Sequence, residues 1–138
     1  MTVRDAKAGI ASVEPALDEE VIDGRTYWFA GPRAPAPSGS TSAHLLPNYD
    51  EYWVAYKDRG PVGGASGRDA FAQSLVLDGR FAGRWRRTLK KDSVLVEASP
   101  HRRLSRAETR ALASAVNRYG RFMERPTQLI VKSAFPNI

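Results

Sequence analysis

The chain contains no cysteine, which excludes disulfides, thiolate nucleophiles and sulfur-bound zinc. Histidine is almost absent. His44 and His101 stand alone in Pro- or Arg-flanked segments, and two such ligands do not make a metal site, so no metal and no cofactor is expected. Ser40, Ser42, Ser66 and Ser74 lack the context of a nucleophile elbow. The glycine-rich GPVGGASG lacks the Lys-Ser/Thr ending of a phosphate loop. No apolar run approaches the ~20 residues of a membrane helix. The start, MTVRDAKAG, lacks the basic-then-apolar pattern of a secretory signal. These absences predict a soluble, cytoplasmic protein with no membrane partner.

What remains is a 138-residue chain, 42% hydrophobic and 26% charged, long enough for one globular domain with a sizeable core. Its formal charge of +6 is unevenly spread. Residues 1–31 carry six acids and three bases, whereas residues 80–125 carry thirteen Lys/Arg against four Asp/Glu. So concentrated a basic block points to an anionic partner, commonly nucleic acid, or else to a solvated face.

Residues 2–17 have helical periodicity, with Val3, Ala6, Ile10, Val13 and Leu17 on one face. Thr2 and Asp5 resemble a capping box, and Pro15 should end or kink the helix. EEVIDGRTYWFA then places two β-favouring runs around Asp23-Gly24, a type I′ hairpin signal. Residues 31–43, rich in Pro, Gly, Ser and Thr, read as a loop and internal boundary. Leu45-Leu46 closes a short strand before Pro47. From Ala70 the period becomes two: FAQSLVL, RFAGRWRRTL and SVLVEAS predict three antiparallel strands joined at Asp78-Gly79 and Lys91-Asp92. Within the middle strand, Phe81, Gly83 and Trp85 should face away from Arg80, Ala82, Arg84 and Arg86, with Gly83 marking a bulge or a close backbone approach. Residues 104–126 predict the strongest helix, capped by Ser105 and Glu108. Its apolar stripe holds Ala111, Leu112, Ala115, Val116, Tyr119, Phe122 and Met123. QLIVK suits one last strand.

Two stretches compete as functional sites. LLPNYDEYWVAYKDRG brings together Asp50, Glu51 and Asp58 with four aromatic residues, Tyr49, Tyr52, Trp53 and Tyr56. A carboxylate-dependent hydrolase is one reading, but sequence neighbours on a helix do not converge. The favoured one is a structural corner in which Asp50 caps a short helix and Asp58 pairs with a nearby base. The basic strand is the better candidate. Arg80, Arg84, Arg86, Arg87, Lys90 and Lys91 can track phosphates without reading bases, with Arg25 at the first hairpin tip as a further contact. The alternative is an exposed sheet edge protected by charge.

HLLPNYDEYWVAYKDRG, LVLDGRFAGRWRRTLKKDSVLVE and a helix ending NRYGRFM together resemble the C-terminal part of the winged-helix DNA-binding-domain proteins, a group that includes the AlkZ-like bacterial DNA glycosylases. The first pattern falls on Leu45, Leu46, Pro47, Tyr49, Asp50, Glu51, Tyr56, Lys57, Asp58 and Arg59. The second falls on Asp78, Gly79, Arg80, Gly83, Trp85, Arg86 and Arg87. The resemblance implies that Thr2–Leu17 and Val21–Phe29 are the recognition helix and wing of a winged-helix unit whose preceding helices are missing, as in an excised fragment. It also implies a catalytic Gln-x-Gln or Gln-x-Asp motif upstream, and neither Gln73 nor Gln128 belongs to one.

The expectation is therefore an α+β chain in three parts: a helix–hairpin over 1–30, a loop over 31–43, and a module over 44–138. The module is expected to be a twisted antiparallel sheet or small open β-barrel with a long C-terminal helix. Its expected partners are double-stranded DNA, through backbone contacts, and upstream winged-helix domains of the same protein. Catalysis is not expected from this chain alone. A structural or protein-interaction domain without DNA contact is the alternative.

Overall fold

The computed structural model describes residues 2–31, 39–55 and 72–132. Tyr56, Lys57, Asp58, Arg59 and the GPVGGASG stretch lie outside the described residues. The chain divides into two units, Met1–Gly39 and Ser40–Ile138.

In the first unit, helix α1 spans Val3–Val13. Thr2 caps it reciprocally with Asp5: the Asp5 amide donates to Thr2 Oγ1 at 3.2 Å and the Thr2 amide to Asp5 Oδ2 at 2.8 Å. The Thr2 bonds hold the Asp5 carboxyl below its usual value. A 3₁₀ turn at Glu14–Ala16 ends the helix at Pro15. Strands β1 (Asp18–Ile22) and β2 (Arg25–Phe29) pair antiparallel. Asp23 and Gly24, at φ of 50° and 74°, form the I′-type turn between them. No residue of α1 is buried, and Val21, Ile22, Tyr27 and Trp28 are all exposed. Among the described residues, this unit has no buried core.

The second unit is built on a five-stranded sheet of order β3-β4-β5-β6-β7, comprising Ala43–Leu46, Ser74–Leu77, Arg80–Leu89, Val94–Pro100 and Thr127–Val131. Helix α2 (Glu51–Val54) follows β3, and α3 (Arg106–Phe122) joins β6 to β7. The sheet is open, with β3 and β7 at its edges, so no barrel closes among the described residues. Its pairs are antiparallel except one. β7 runs parallel to β6, which corrects the expectation of an all-antiparallel sheet. The cause is the length of α3: seventeen residues carry the chain back about 25 Å, so β7 starts at the end of the sheet where β6 starts.

One sheet face packs on α3. Leu75, Leu77, Ala82, Trp85, Val94, Val96 and Ala98 meet Leu112, Ala115 and Val116 in the main core. All four residues of β4 are buried, because α2 covers the other face there, placing Trp53 against Val76 and Phe81. A register shift at Leu75/Val76 forms a bulge around Ala82, where two residues of β4 oppose three of β5. Gly83 follows at φ 146°. A β-carbon there would strike the Ser99 carbonyl oxygen and lie 2.6 Å from Pro100 Cα. Bulge and close approach thus occur together. Gly120 does similar work on α3, where a β-carbon would lie 2.8 Å from Thr127 Cγ2. Phe122 departs from the expected helix stripe, since it is 80% exposed.

Candidate nucleic-acid interface

The aromatic corner is held by hydrogen bonds from three directions. Asp50 caps α2, its Oδ1 accepting from the Tyr52 amide at 2.9 Å. The Tyr52 hydroxyl donates to the Gly79 carbonyl at 2.6 Å, and Trp85 Nε1 donates to the Leu46 carbonyl at 2.8 Å. Trp53 is fully buried, edge-on to Tyr52 and to Phe81 with ring centroids 5.2 and 5.7 Å away. On the sheet side, Asp78 of the β4–β5 turn accepts from the Ser42 amide at 2.7 Å. A shallow groove of about 290 Å³ lies beside the corner, lined by His44, Leu46, Asp50, Tyr52, Val76 and Gly79. Asp50 faces it while engaged as a cap, and Glu51 is exposed outside its lining. Among the described residues, no three His, Cys, Asp or Glu side chains come close enough to hold a metal ion.

The cations of β5 do not share one face. Register fixes this: Arg80 lies opposite Leu77, on the side facing α3, whereas Arg84 lies opposite Ser74 on the other side. The bulge inverts the phase between them, so Phe81 packs with Trp53 while Ala82 and Trp85 join the main core. The expected alternation is corrected accordingly. Arg84 and Arg86 share a face, and Arg80 points to the opposite one.

Arg86 and Arg87 both have partners within the chain. Arg86 makes a bidentate pair with Glu97 on β6, Nε–Oε2 at 2.6 Å and Nη2–Oε1 at 3.0 Å. Lys132 Nζ approaches the same carboxylate at 2.8 Å. Hydrogen bonds from Arg86 and then Lys132 pull the Glu97 carboxyl down to about 2, and the bond to Glu97 in turn raises the Arg86 guanidinium. Arg87 donates to the Tyr119 hydroxyl, with its guanidinium carbon 5.8 Å from that ring's centroid. Lys90 and Lys91 are exposed beyond β5, in the turn to β6, and their carbonyls accept from Arg125 Nη1 at 3.0 and 3.4 Å. Arg25 is exposed at the start of β2 in the first unit.

Sequence reasoning missed other placed bases. Arg118 reaches across from α3 to the Ala43 carbonyl at 2.9 Å and ties β3 to the helix. Arg102 is fixed by Glu108 at 2.6 and 3.0 Å, and that bond with the Ser105 cap lowers the Glu108 carboxyl to about 2. The Ser105-x-x-Glu108 spacing marks Glu108 as part of the α3 cap. Only the folded loop brings Arg102 to it.

An open mixed sheet with a crossover helix on one face, a short aromatic helix on the other and basic residues at its turns defines an α+β fold. The family model described as DNA glycosylase AlkZ-like matches residues 1–122, and the chain belongs to the AlkZ-like DNA glycosylase family. Among solved structures it is similar to Streptomyces sahachiroi DNA glycosylase AlkZ, with a TM-score of 0.53 and 19% sequence identity. That likeness, one of fold, covers 94% of this chain and 38% of the glycosylase, so the chain spans well under half of that protein's length. No curated protein sequence matches.

Proposed function

We propose that this chain is a DNA-associating module of a glycosylase-like repair protein, binding the phosphate backbone of double-stranded DNA and buttressing winged-helix domains upstream. The family match over residues 1–122 carries this reading. It is supported by exposed bases on β5 and its turn, Arg84, Arg86, Lys90 and Lys91, which suit phosphate oxygens and read no base edges. Arg80 and Arg87 add proposed contacts elsewhere on the second unit, and Arg25 is a separate proposed contact of the first. Helix α1 and the β1–β2 hairpin take the roles of recognition helix and wing, and the exposed apolar residues of this unit suit docking against further helices. Base excision itself is assigned to residues outside this chain, because neither glutamine lies in a Gln-x-Gln or Gln-x-Asp motif. No helix among the described residues is long and apolar enough to cross a membrane. That fits work on DNA in the cytoplasm.

The test is fluorescence anisotropy of a labelled random-sequence duplex with the chain and its Arg84→Ala/Lys90→Ala/Lys91→Ala variant. Removing one phosphate-binding cation lowers the slope of log affinity against log salt by about 0.9, so the variant's slope should fall by up to roughly 3. An unchanged slope would remove β5 and its turn from the interface. A second reading, a protein-interaction domain without DNA contact, is favoured by exposed Val21, Ile22, Tyr27 and Trp28 on the first hairpin. It predicts no duplex binding at any salt.

A further inference from the structure

A basic concavity of the second unit lies where β6 leaves the sheet and the chain turns towards α3. It is a groove of about 420 Å³ lined by Pro100, Arg102, Arg103, Leu104, Thr109, Val131 and Lys132. Three cations line it and no acid does. Two of them are held from beneath. The Glu108 side chain is only 12% exposed under Arg102, which is 53% exposed, and Glu97 is 12% exposed beside Lys132, which is 38% exposed. The carboxylates therefore orient the cations while staying largely covered, and the surface presented to solvent is positive. Arg102 is further fixed by its own bond to the Arg103 carbonyl at 3.2 Å. Arg103 is exposed and forms no salt bridge among the described residues, so its charge is uncompensated. The first amides of α3 add little here, because Ser105 and Glu108 already occupy the cap.

Resting on the DNA-associating reading, we infer that this groove is a phosphate subsite for the duplex backbone, with Arg103 as the principal contact and Arg102 and Lys132 as its oriented flanks. Charge complementarity selects the occupant: three cations around a concave surface match successive phosphates of one strand. Lys132 also joins the groove to Arg86 through Glu97, so one ion-paired network links it to the Arg84 and Arg86 face of the sheet.

The test uses Arg103→Ala and Arg103→Ala/Lys132→Ala. Neither should harm folding, since Arg103 carries no ion pair and Glu97 keeps Arg86 when Lys132 is removed. Arg121→Ala is the control of equal charge, at the far end of α3 and exposed. Duplex binding is measured by anisotropy across a salt series. The expected result is at least a roughly fivefold loss of affinity at low salt for Arg103→Ala, a salt slope lower by about 0.9, and a larger loss for the double variant. Arg121→Ala should change less. Equal losses for Arg103→Ala and Arg121→Ala would reduce the effect to net charge and overturn the subsite. Unaltered binding by the Arg103 variants, with the wild-type chain still binding, would overturn the groove and leave the DNA-associating reading intact. No binding by the wild-type chain would end both.

Discussion

Gly83→Ala is the substitution whose cost the structure specifies most fully. At φ 146° the backbone sits where an L side chain is strained, a penalty of about 1–3 kcal/mol. The new methyl would also meet the Ser99 carbonyl oxygen and Pro100 Cα, which are backbone atoms of β6 and cannot rotate away. Forcing a methyl into such packing costs a further ~1–3 kcal/mol. The sum is roughly 2–6 kcal/mol, and for a unit of this size it should lower the melting temperature by at least about 8 °C. Thermal unfolding followed by the fluorescence of buried Trp53 and Trp85 reads this directly. Gly79→Ala separates the two causes. That glycine has φ 73°, but its nearest neighbour, Tyr52 Oη, stands at an ordinary 3.6 Å, so it should lose only about 1–2 kcal/mol. A Gly83→Ala variant that melts no lower than Gly79→Ala would refute the close approach of β5 to β6 as a constraint on the fold.

Tyr52→Phe deletes the hydrogen bond to the Gly79 carbonyl while keeping the ring against Trp53, so urea unfolding should show a loss of about 1 kcal/mol. No loss would mean that water replaces the hydroxyl without cost. Acid should weaken the fold through Glu97 and Glu108, whose folded-state values of about 2 lie below the ordinary 4.5. The unfolded chain takes up protons first, so both pairs contribute fully above about pH 4.5, and that contribution falls away as pH drops towards 2. Urea midpoints from pH 7 to pH 2 test this, and Glu108→Gln should flatten the slope. A decline beginning well above pH 4.5 would point to other groups.

Much of this architecture is readable from local chemistry. Asp23-Gly24 and Asp78-Gly79 announce tight turns, and each pair takes positive φ as the I′ turn demands. Thr2 with Asp5 and Ser105 with Glu108 form both capping boxes. Asp50 caps a short helix, and the aromatic corner is packed and hydrogen-bonded. What escaped were consequences of register. One inserted residue at the bulge turns Arg80 away from Arg84 and moves Phe81 into a different cluster, and strict alternation has no way to place it. The parallel pairing of β7 follows from the span of α3 rather than from QLIVK itself. Glu97 meets Arg86 only across the β5–β6 ladder, eleven residues away, so the expected phosphate contact carries an unanticipated carboxylate partner. Arg102, Arg103 and Lys132 gather because β6 and β7 end together, a neighbourhood created by the crossover.

The function proposed for this member of the AlkZ-like family requires that its basic surface hold duplex DNA by the phosphates. Titrating a labelled random duplex with the unmodified chain between about 50 and 200 mM salt tests it most directly. Affinity falling steeply and linearly on a log–log plot, equally for unrelated sequences, is the predicted result. No binding at about 50 mM salt, or binding indifferent to salt, would contradict it.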